Sequence, residues 1–463
     1  MPSGRRRRRK LGLISLGCAK NEVDAERILG AAAESEWLVC ADPVDADVVV
    51  VNTCAFIASA KGESLDAIEE ALALKRVGQC KAVIVAGCMA QRYGRELSIE
   101  LPEVDAWIGL ADPRQVPRVA AALLEHHLAE PVVRLEPLPA EFGDEGSRLR
   151  ITPPHYAYLR VAEGCDNCCS YCAIPLIRGP LRSKPLEVCL HEARQLVDTG
   201  VSELIVIAQD TTNYGRDLYG KPSLAMLIDQ LVDIDDVHWV RVLYSHPAHF
   251  DEAAIEAFAT LPKLCHYVDL PIQHASDPVL DRMGRHTTRQ AMADLVGRLR
   301  ERIPDVVLRT TVLVGYPGET EADVAALCEF IQEIEFDRLG AFTYSEEDGT
   351  RAAGEGPAVP ENEREARCDA VMRLQQEIAF RKTAARVGSE VEVVVDGRLD
   401  ASHFAARSYA EAPDVDGIIR LSGRRFEPGE FLQVRITDSD GYDVEARAGG
   451  HAPIRKDGHG PTS

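Results

Sequence analysis

The chain has 463 residues, 46% hydrophobic and 27% charged, with 74 acidic against 52 basic side chains and a net charge of −22. That length calls for about two to four domains, and the charge excludes a protein whose whole surface tracks a nucleic-acid backbone while suiting a basic protein partner. Thirteen cysteines, no secretory leader and no apolar run near eighteen residues point to a reducing, cytoplasmic setting without a membrane span, where thiols ligate metals instead of pairing.

Residues 1–10, ending in Arg5-Arg6-Arg7-Arg8-Arg9-Lys10, read as a disordered basic arm, with ribosome or nucleic-acid contact as the lesser reading. Residues 11–128 read as one parallel α/β domain: β-branched runs at 11–16, 47–51 and 81–86 alternate with helical patterns such as 21–35 and 58–75. Each of the three runs is followed by a cysteine. Cys18 lies in Leu16-Gly17-Cys18-Ala19-Lys20-Asn21, Cys54 in Asn52-Thr53-Cys54, and Cys88 in Ala86-Gly87-Cys88-Met89-Ala90-Gln91. Strand ends of a parallel sheet share one edge, so the three thiols converge on one site, where Gly17 and Gly87 permit close backbone approach. Any one of them alone would read as a small buried hydrophobe, as Cys40, Cys80, Cys189, Cys265, Cys328 and Cys368 do.

Residues 129–150, rich in prolines and acids without periodicity, read as a linker. From 151 to 382, six strand patterns (158–162, 203–208, 239–244, 267–270, 307–314 and 338–344) alternate with helical ones, including 185–199, 288–303 and 321–335. They form a partial (β/α)6 barrel, with chemistry at the carboxyl ends of the strands. The first end carries Gly164-Cys165-Asp166-Asn167-Cys168-Cys169-Ser170-Tyr171-Cys172-Ala173-Ile174-Pro175. Thiolates select iron–sulfur clusters, zinc or copper(I). Cys165, Cys169 and Cys172 give a CxxxCxxC spacing that leaves one iron of a cube open, while Cys168 would allow a closed zinc site of four sulfurs. Later ends carry Gln209-Asp210-Thr211-Thr212, Ser245-His246-Pro247, the run Pro271-Ile272-Gln273-His274-Ala275-Ser276, and Gly315-Tyr316-Pro317-Gly318-Glu319-Thr320. His246 and His274 read as hydrogen-bonding groups before acid–base ones.

A charged helix over 361–386 closes the barrel, and short strands at 390–395, 418–421, 431–437 and 442–447 make a small β-barrel over 383–450 that docks on its neighbour. Asp400, Glu411, Asp414 and Asp416 read as an acidic surface there, poor for phosphates and attractive to a Lys/Arg-rich protein. Residues 451–463 read as a disordered tail.

CxxxCxxC followed by Ala173-Ile174-Pro175, with Tyr171 before the last cysteine, resembles the signature of the radical S-adenosylmethionine (SAM) enzymes. The cysteine motifs ahead of it make the chain resemble the methylthiotransferases within that family, and the last barrel resembles a TRAM domain. The resemblance implies an α/β multidomain fold with two 4Fe-4S clusters, one on Cys165, Cys169 and Cys172, the other on Cys18, Cys54 and Cys88. It implies SAM contacts at Tyr171, Ala173, Gln209, Gln273 and Gly315, Cys168 as a bystander, and a low-potential electron donor such as flavodoxin or ferredoxin. One branch of the family acts on adenosine in transfer RNA (MiaB-type), the other on an aspartate of ribosomal protein S-twelve (RimO-type). Ile14-Ser15-Leu16-Gly17-Cys18-Ala19-Lys20-Asn21, the Gln273-His274-Ala275-Ser276 run and Arg407-Ser408-Tyr409-Ala410-Glu411-Ala412-Pro413-Asp414-Val415-Asp416-Gly417 resemble the second branch. That implies hydrogen abstraction at an aspartate β-carbon by a radical made from SAM, with sulfur from the second cluster. A transfer-RNA enzyme and a zinc-stabilised RNA-binding module are the alternatives.

Overall fold

A computed structural model describes residues 8–126, 130–142, 146–423 and 425–449, so most of the expected arm and the expected tail lie outside the described residues. Two parallel sheets and one closed barrel carry the architecture. The strands of the first sheet are β1 (Lys10–Ser15), β2 (Leu38–Cys40), β3 (Val48–Thr53), β4 (Ala82–Gly87), β5 (Ala106–Ile108) and β6 (Val132–Arg134), in the order β2-β1-β3-β4-β5-β6. The central strands β3 and β4 are buried along their whole length, as their unbroken Val/Ile/Ala runs require with helices on both faces. Helices α1 (Ala19–Glu34), α2 (Ala58–Arg76), α3 (Cys88–Glu100) and α4 (Gln115–Glu125) connect them. Two assignments at the expected domain boundaries differ from the sequence reading, and β2 and β5 have no counterpart in it. Lys10, placed in the arm, opens β1, and Val132–Arg134, placed in the linker, pairs with β5 as an edge strand.

The second sheet runs β7 (Tyr156–Arg160), β10 (Glu203–Ile207), β11 (Trp239–Val242), β12 (Leu264–Asp269), β13 (Val307–Val314) and β14 (Arg338–Thr343), each parallel to its neighbour. A two-residue pair, β8 (Ala162–Glu163) with β9 (Arg182–Ser183), flanks the loop that follows β7. Around the sheet lie α5 (Ile174–Arg178), α6 (Leu186–Asp198), α7 (Arg216–Tyr219), α8 (Leu224–Val232), α9 (Glu252–Thr260), α10 (Asp277–Met283), α11 (Arg289–Arg302), α12 (Glu321–Ile334) and α13 (Glu361–Ala385). Their apolar faces and the outer face of the sheet share the largest core, which includes Leu204, Val206, Phe258 and Phe330.

The last domain is a closed barrel in the order β15 (Glu390–Arg398), β16 (His403–Arg407), β17 (Ile419–Ser422), β19 (Asp443–Ala448) and β18 (Phe431–Asp440). Strand β16 has no counterpart in the sequence reading, because His403-Phe404-Ala405-Ala406-Arg407 is short and Ala-rich. The barrel seals the concave face of the second sheet: Val394 and Ala412 join Tyr156, Tyr158, Ile205, Trp239 and Tyr267 in one core cluster. Beneath it, fully buried Glu203 accepts from Arg241 at 2.8 Å and pairs with Arg407 at 2.9 Å. The expectation that Glu411 and Asp416 face a basic partner is overturned. Glu411 is 1% exposed and pairs with Arg386 and Arg338. Asp416 accepts from Tyr267 Oη at 2.6 Å, and Asp414 accepts from Tyr156 Oη at 3.2 Å. Glu411 and Asp416 face inward because their partners arrive from elements far away in sequence, whereas Asp414 and Asp400 stay exposed.

Candidate active site

The first thiol set forms where β1, β3 and β4 end. Cys18 stands immediately before α1, Cys54 just past β3, and Cys88 opens α3. Two glycines set this geometry. Gly87 has φ +93° and a Cβ there would lie 2.5 Å from Asn52 Oδ1; Gly17 has φ +94° and its Cβ would lie 3.0 Å from the Cys54 Cβ. Ser64 clasps Cys54, accepting from its amide at 3.0 Å and donating to its carbonyl at 2.9 Å. Asn21 ties the strand ends together: its Nδ2 donates to the Leu16 and Thr53 carbonyls at 3.0 and 2.9 Å, and its backbone carbonyl accepts from Asn52 at 2.8 Å. Neither asparagine was singled out from sequence, although both stand inside the cysteine motifs.

The second set lies on the loop after β7. The Cys165 amide donates to the Gly179 carbonyl at 3.1 Å and the Cys172 amide to the Cys169 carbonyl at 3.1 Å, folding the loop back on itself. Asn167 donates to Asp210 at 2.7 Å, and Asp210 also receives Asn213 at 2.9 Å and pairs with His249 at 2.8 Å. Burial would raise that carboxyl, but the His249 hydrogen bond holds it down at about 2. Arg285 reaches the Cys169 Sγ at 3.6 Å and the Pro271 carbonyl at 2.5 Å. Cys168 is exposed, with φ +51° and its carbonyl bound by Arg351.

The residues expected to contact SAM occupy different settings. Gln209 lies past β10 with its Nε2 3.5 Å from Glu163 and its Oε1 buried without a partner. Gln273, at φ +70°, bridges to Val312. Gly315 donates to Glu319 Oε1 at 2.9 Å, and a Cβ there would run into Arg364. Tyr171 packs beside Tyr316 and Tyr344, whereas the Ala173 side chain joins Ile177 in the core of the first domain, leaving only its backbone for a ligand. His246 and His274 each accept a hydrogen bond on Nδ1 from the amide two residues on, at 3.2 and 2.9 Å, so each neutral ring carries its hydrogen on Nε2. Burial and Arg285 push His246 down to about 2, which keeps it neutral.

Both sets meet through α5. It follows Cys172 directly, and Arg178 at its end is 2% exposed. That guanidinium donates to Glu163 at 2.8 Å, Asp24 at 2.7 Å, Asn21 at 2.8 Å and the Cys88 Sγ at 3.4 Å. Sequence reasoning passed over Arg178, whose only signal is a basic residue closing a short helix after a metal motif. Lys20, between the sets, is 7% exposed, its ammonium 3.1 Å from the centroid of the Tyr244 ring at the end of β11. Burial draws it down to about 8, which leaves it charged at neutral pH. A cavity of about 250 Å³ lies beside Gly87, lined also by Asn52, Arg114, Arg178 and Arg182.

The donors in both sets are thiols, which suit iron–sulfur clusters and other soft metal centres. Burial pushes Cys88, Cys165 and Cys172 up to about 12. A metal would have to displace their protons, and Arg178 and Arg285 stand at the Cys88 and Cys169 Sγ atoms, where they would meet thiolate charge.

Comparison with known proteins agrees along the chain. Residues 10–109 match the family described as Uncharacterized protein family UPF0004, residues 159–331 the Radical SAM superfamily, and residues 387–448 the TRAM domain. The ribosomal protein uS12 methylthiotransferase RimO of Trichlorobacter lovleyi is 44% identical over 95% of this chain and 98% of its own length. The protein of the same name from Geobacter sulfurreducens is 44% identical over 94% and 97%. Among solved structures, the radical SAM methyltransferase TsrM of Kitasatospora setae, with cobalamin and a [4Fe-4S] cluster bound, aligns with a TM-score of 0.53 at 16% identity. It covers 75% of this chain and 77% of that one, a likeness of fold.

Proposed function

The chain belongs to the radical SAM methylthiotransferases of the RimO type, and from that membership we propose that it methylthiolates ribosomal protein uS12 at the β-carbon of an aspartate, using SAM and two 4Fe-4S clusters. The observation that supports the two-cluster reading is a link between one cysteine of each set: α5 starts just after Cys172 and ends with Arg178 on the Cys88 Sγ. Cys165, Cys169 and Cys172 would hold the first cluster, and Cys18, Cys54 and Cys88 the second. When bound, these groups supply the electron, the hydrogen-abstracting radical and the sulfur.

The chain's own residues position and protect that chemistry. The Asn167–Asp210 bond fixes the first loop against the barrel, and Arg285 and Arg178 balance negative charge at Cys169 and Cys88. Gln209, Gln273, Gly315, Tyr171 and the Ala173 backbone border the place where SAM would sit. The small barrel seals the sheet from below, which excludes water from the reaction. A flavodoxin- or ferredoxin-type donor would supply electrons, and the net charge of −22 suits a basic substrate protein in the cytoplasm; among the described residues no helix is long and apolar enough to cross a membrane.

Anaerobic reconstitution followed by parallel assays on uS12 and transfer RNA tests the reading. Roughly eight irons per chain and a methylthio group on the uS12 aspartate are expected. A modified transfer RNA with unmodified uS12, or a zinc-loaded colourless protein that refuses iron, would overturn it.

A further inference from the structure

Among the described residues, the buried and half-buried arginines around the two thiol sets are engaged. Arg178 holds Glu163 and Asp24, Arg160 holds Asp24 and Glu163, Arg285 holds Cys169 and the Pro271 carbonyl, and Arg309 holds Asp269. Lys20 differs. It sits in the first turn of α1, two residues after Cys18, with its ammonium over the Tyr244 face, and it makes no hydrogen bond or ion pair among the described residues. The charged groups that face it are Cys18, Arg178, Asp269 and Glu163, and both carboxylates are taken by arginines. Tyr244 itself is held at φ +64°, outside the range ordinary side chains prefer, by its amide's 2.8 Å bond to Asp269. A buried ammonium without an anion is costly unless a ligand completes it.

We propose that Lys20 receives the carboxylate of the aspartate to be modified, resting on the uS12 reading above. The placement suits that task. A carboxylate held by an ammonium beside Cys18 presents its neighbouring β-carbon between the sulfur-bearing set of the first domain and the strand ends of the barrel. Asparagine at the target position would offer the same shape without the charge, so Lys20 makes the site select aspartate.

The test measures binding of the reconstituted protein to purified uS12 and to a uS12 variant carrying asparagine at the modified position, with iron counted throughout. Wild type should prefer the aspartate form by roughly 30-fold or more. Lys20→Met should bind both forms equally and weakly, with KM for uS12 raised more than kcat is lowered, and Lys20→Arg should restore the preference for aspartate. A Lys20→Met protein that keeps the wild-type preference overturns the inference. So does equal loss of iron in Lys20→Met and Lys20→Arg with the preference intact, which would make Lys20 a support for the second cluster. A wild-type protein that neither binds nor modifies uS12 overturns the parent reading, and the inference with it, whatever the variants do.

Discussion

At the scale of single residues, the two thiol sets predict separable losses. Cys169→Ala should abolish SAM cleavage, measured as 5′-deoxyadenosine, whereas Cys54→Ala should keep cleavage and stop methylthiolation; product from the Cys54 variant would refute this division of labour. Gly87→Ala is a sharper probe. Its new Cβ would lie 2.5 Å from Asn52 Oδ1 and 2.8 Å from the Thr53 carbonyl, on backbone held at φ +93°. The displacement should cost about 1–3 kcal/mol and drop the iron content by roughly half, with the first cluster retained. The placement of Cys18, Cys54 and Cys88 was legible in the sequence because the strand ends of a parallel sheet share one edge, and that of Cys165, Cys169 and Cys172 because they stand on one loop after β7. Asn21, Arg178 and Lys20 were not, since an asparagine that caps strands or a cation that lacks an anion is recognised only by its neighbours in space.

At the scale of elements, the regular strands and helices followed from periodicity, while short edge pieces escaped it. Strands β2, β5 and β6 have three residues each, too few for an alternation to register. The acidic loop after β16 was legible as composition and illegible as placement: its charges read as solvent-facing, yet Arg338 and Arg386 bury Glu411. Burial would raise that carboxyl, and the two guanidiniums outweigh burial and hold it at about 2, well below its ordinary 4.5. A depressed carboxyl stabilises the fold above its unfolded value and loses that contribution as pH falls. The docked barrel should therefore lose about 3 kcal/mol between pH 4.5 and 2, seen as a falling melting temperature. Glu411→Gln should melt lower at pH 7 and flatten that dependence; an unchanged pH profile would show that the pair carries no such linkage.

At the scale of the whole molecule, the domains are locked to one another by buried charge as well as by apolar contact. Glu347, on the loop after β14, is 1% exposed and binds Lys61 at 2.9 Å and Arg92 at 2.7 Å, both from the first domain. Glu347→Ala leaves Arg92, whose side chain is 5% exposed, without its carboxylate, at a cost of roughly 3–5 kcal/mol. The expected result is a lower melting temperature and methylthiolation that falls further than SAM cleavage, because the two thiol sets lose their fixed separation. Equal loss of both activities would mean that the contact supports folding alone. Domain order was readable from the succession of patterns; the locking was not, as each ion pair joins residues hundreds of positions apart.

The helix between the two thiol sets is also a ruler. Inserting or deleting one residue between Cys172 and Arg178 would turn the guanidinium by about 100°, off Cys88 and away from Asp24, without touching any ligand. Chain length in this stretch is thus as strictly specified as residue identity, and point substitutions on the outer face of α5 should be tolerated where any change of register is not.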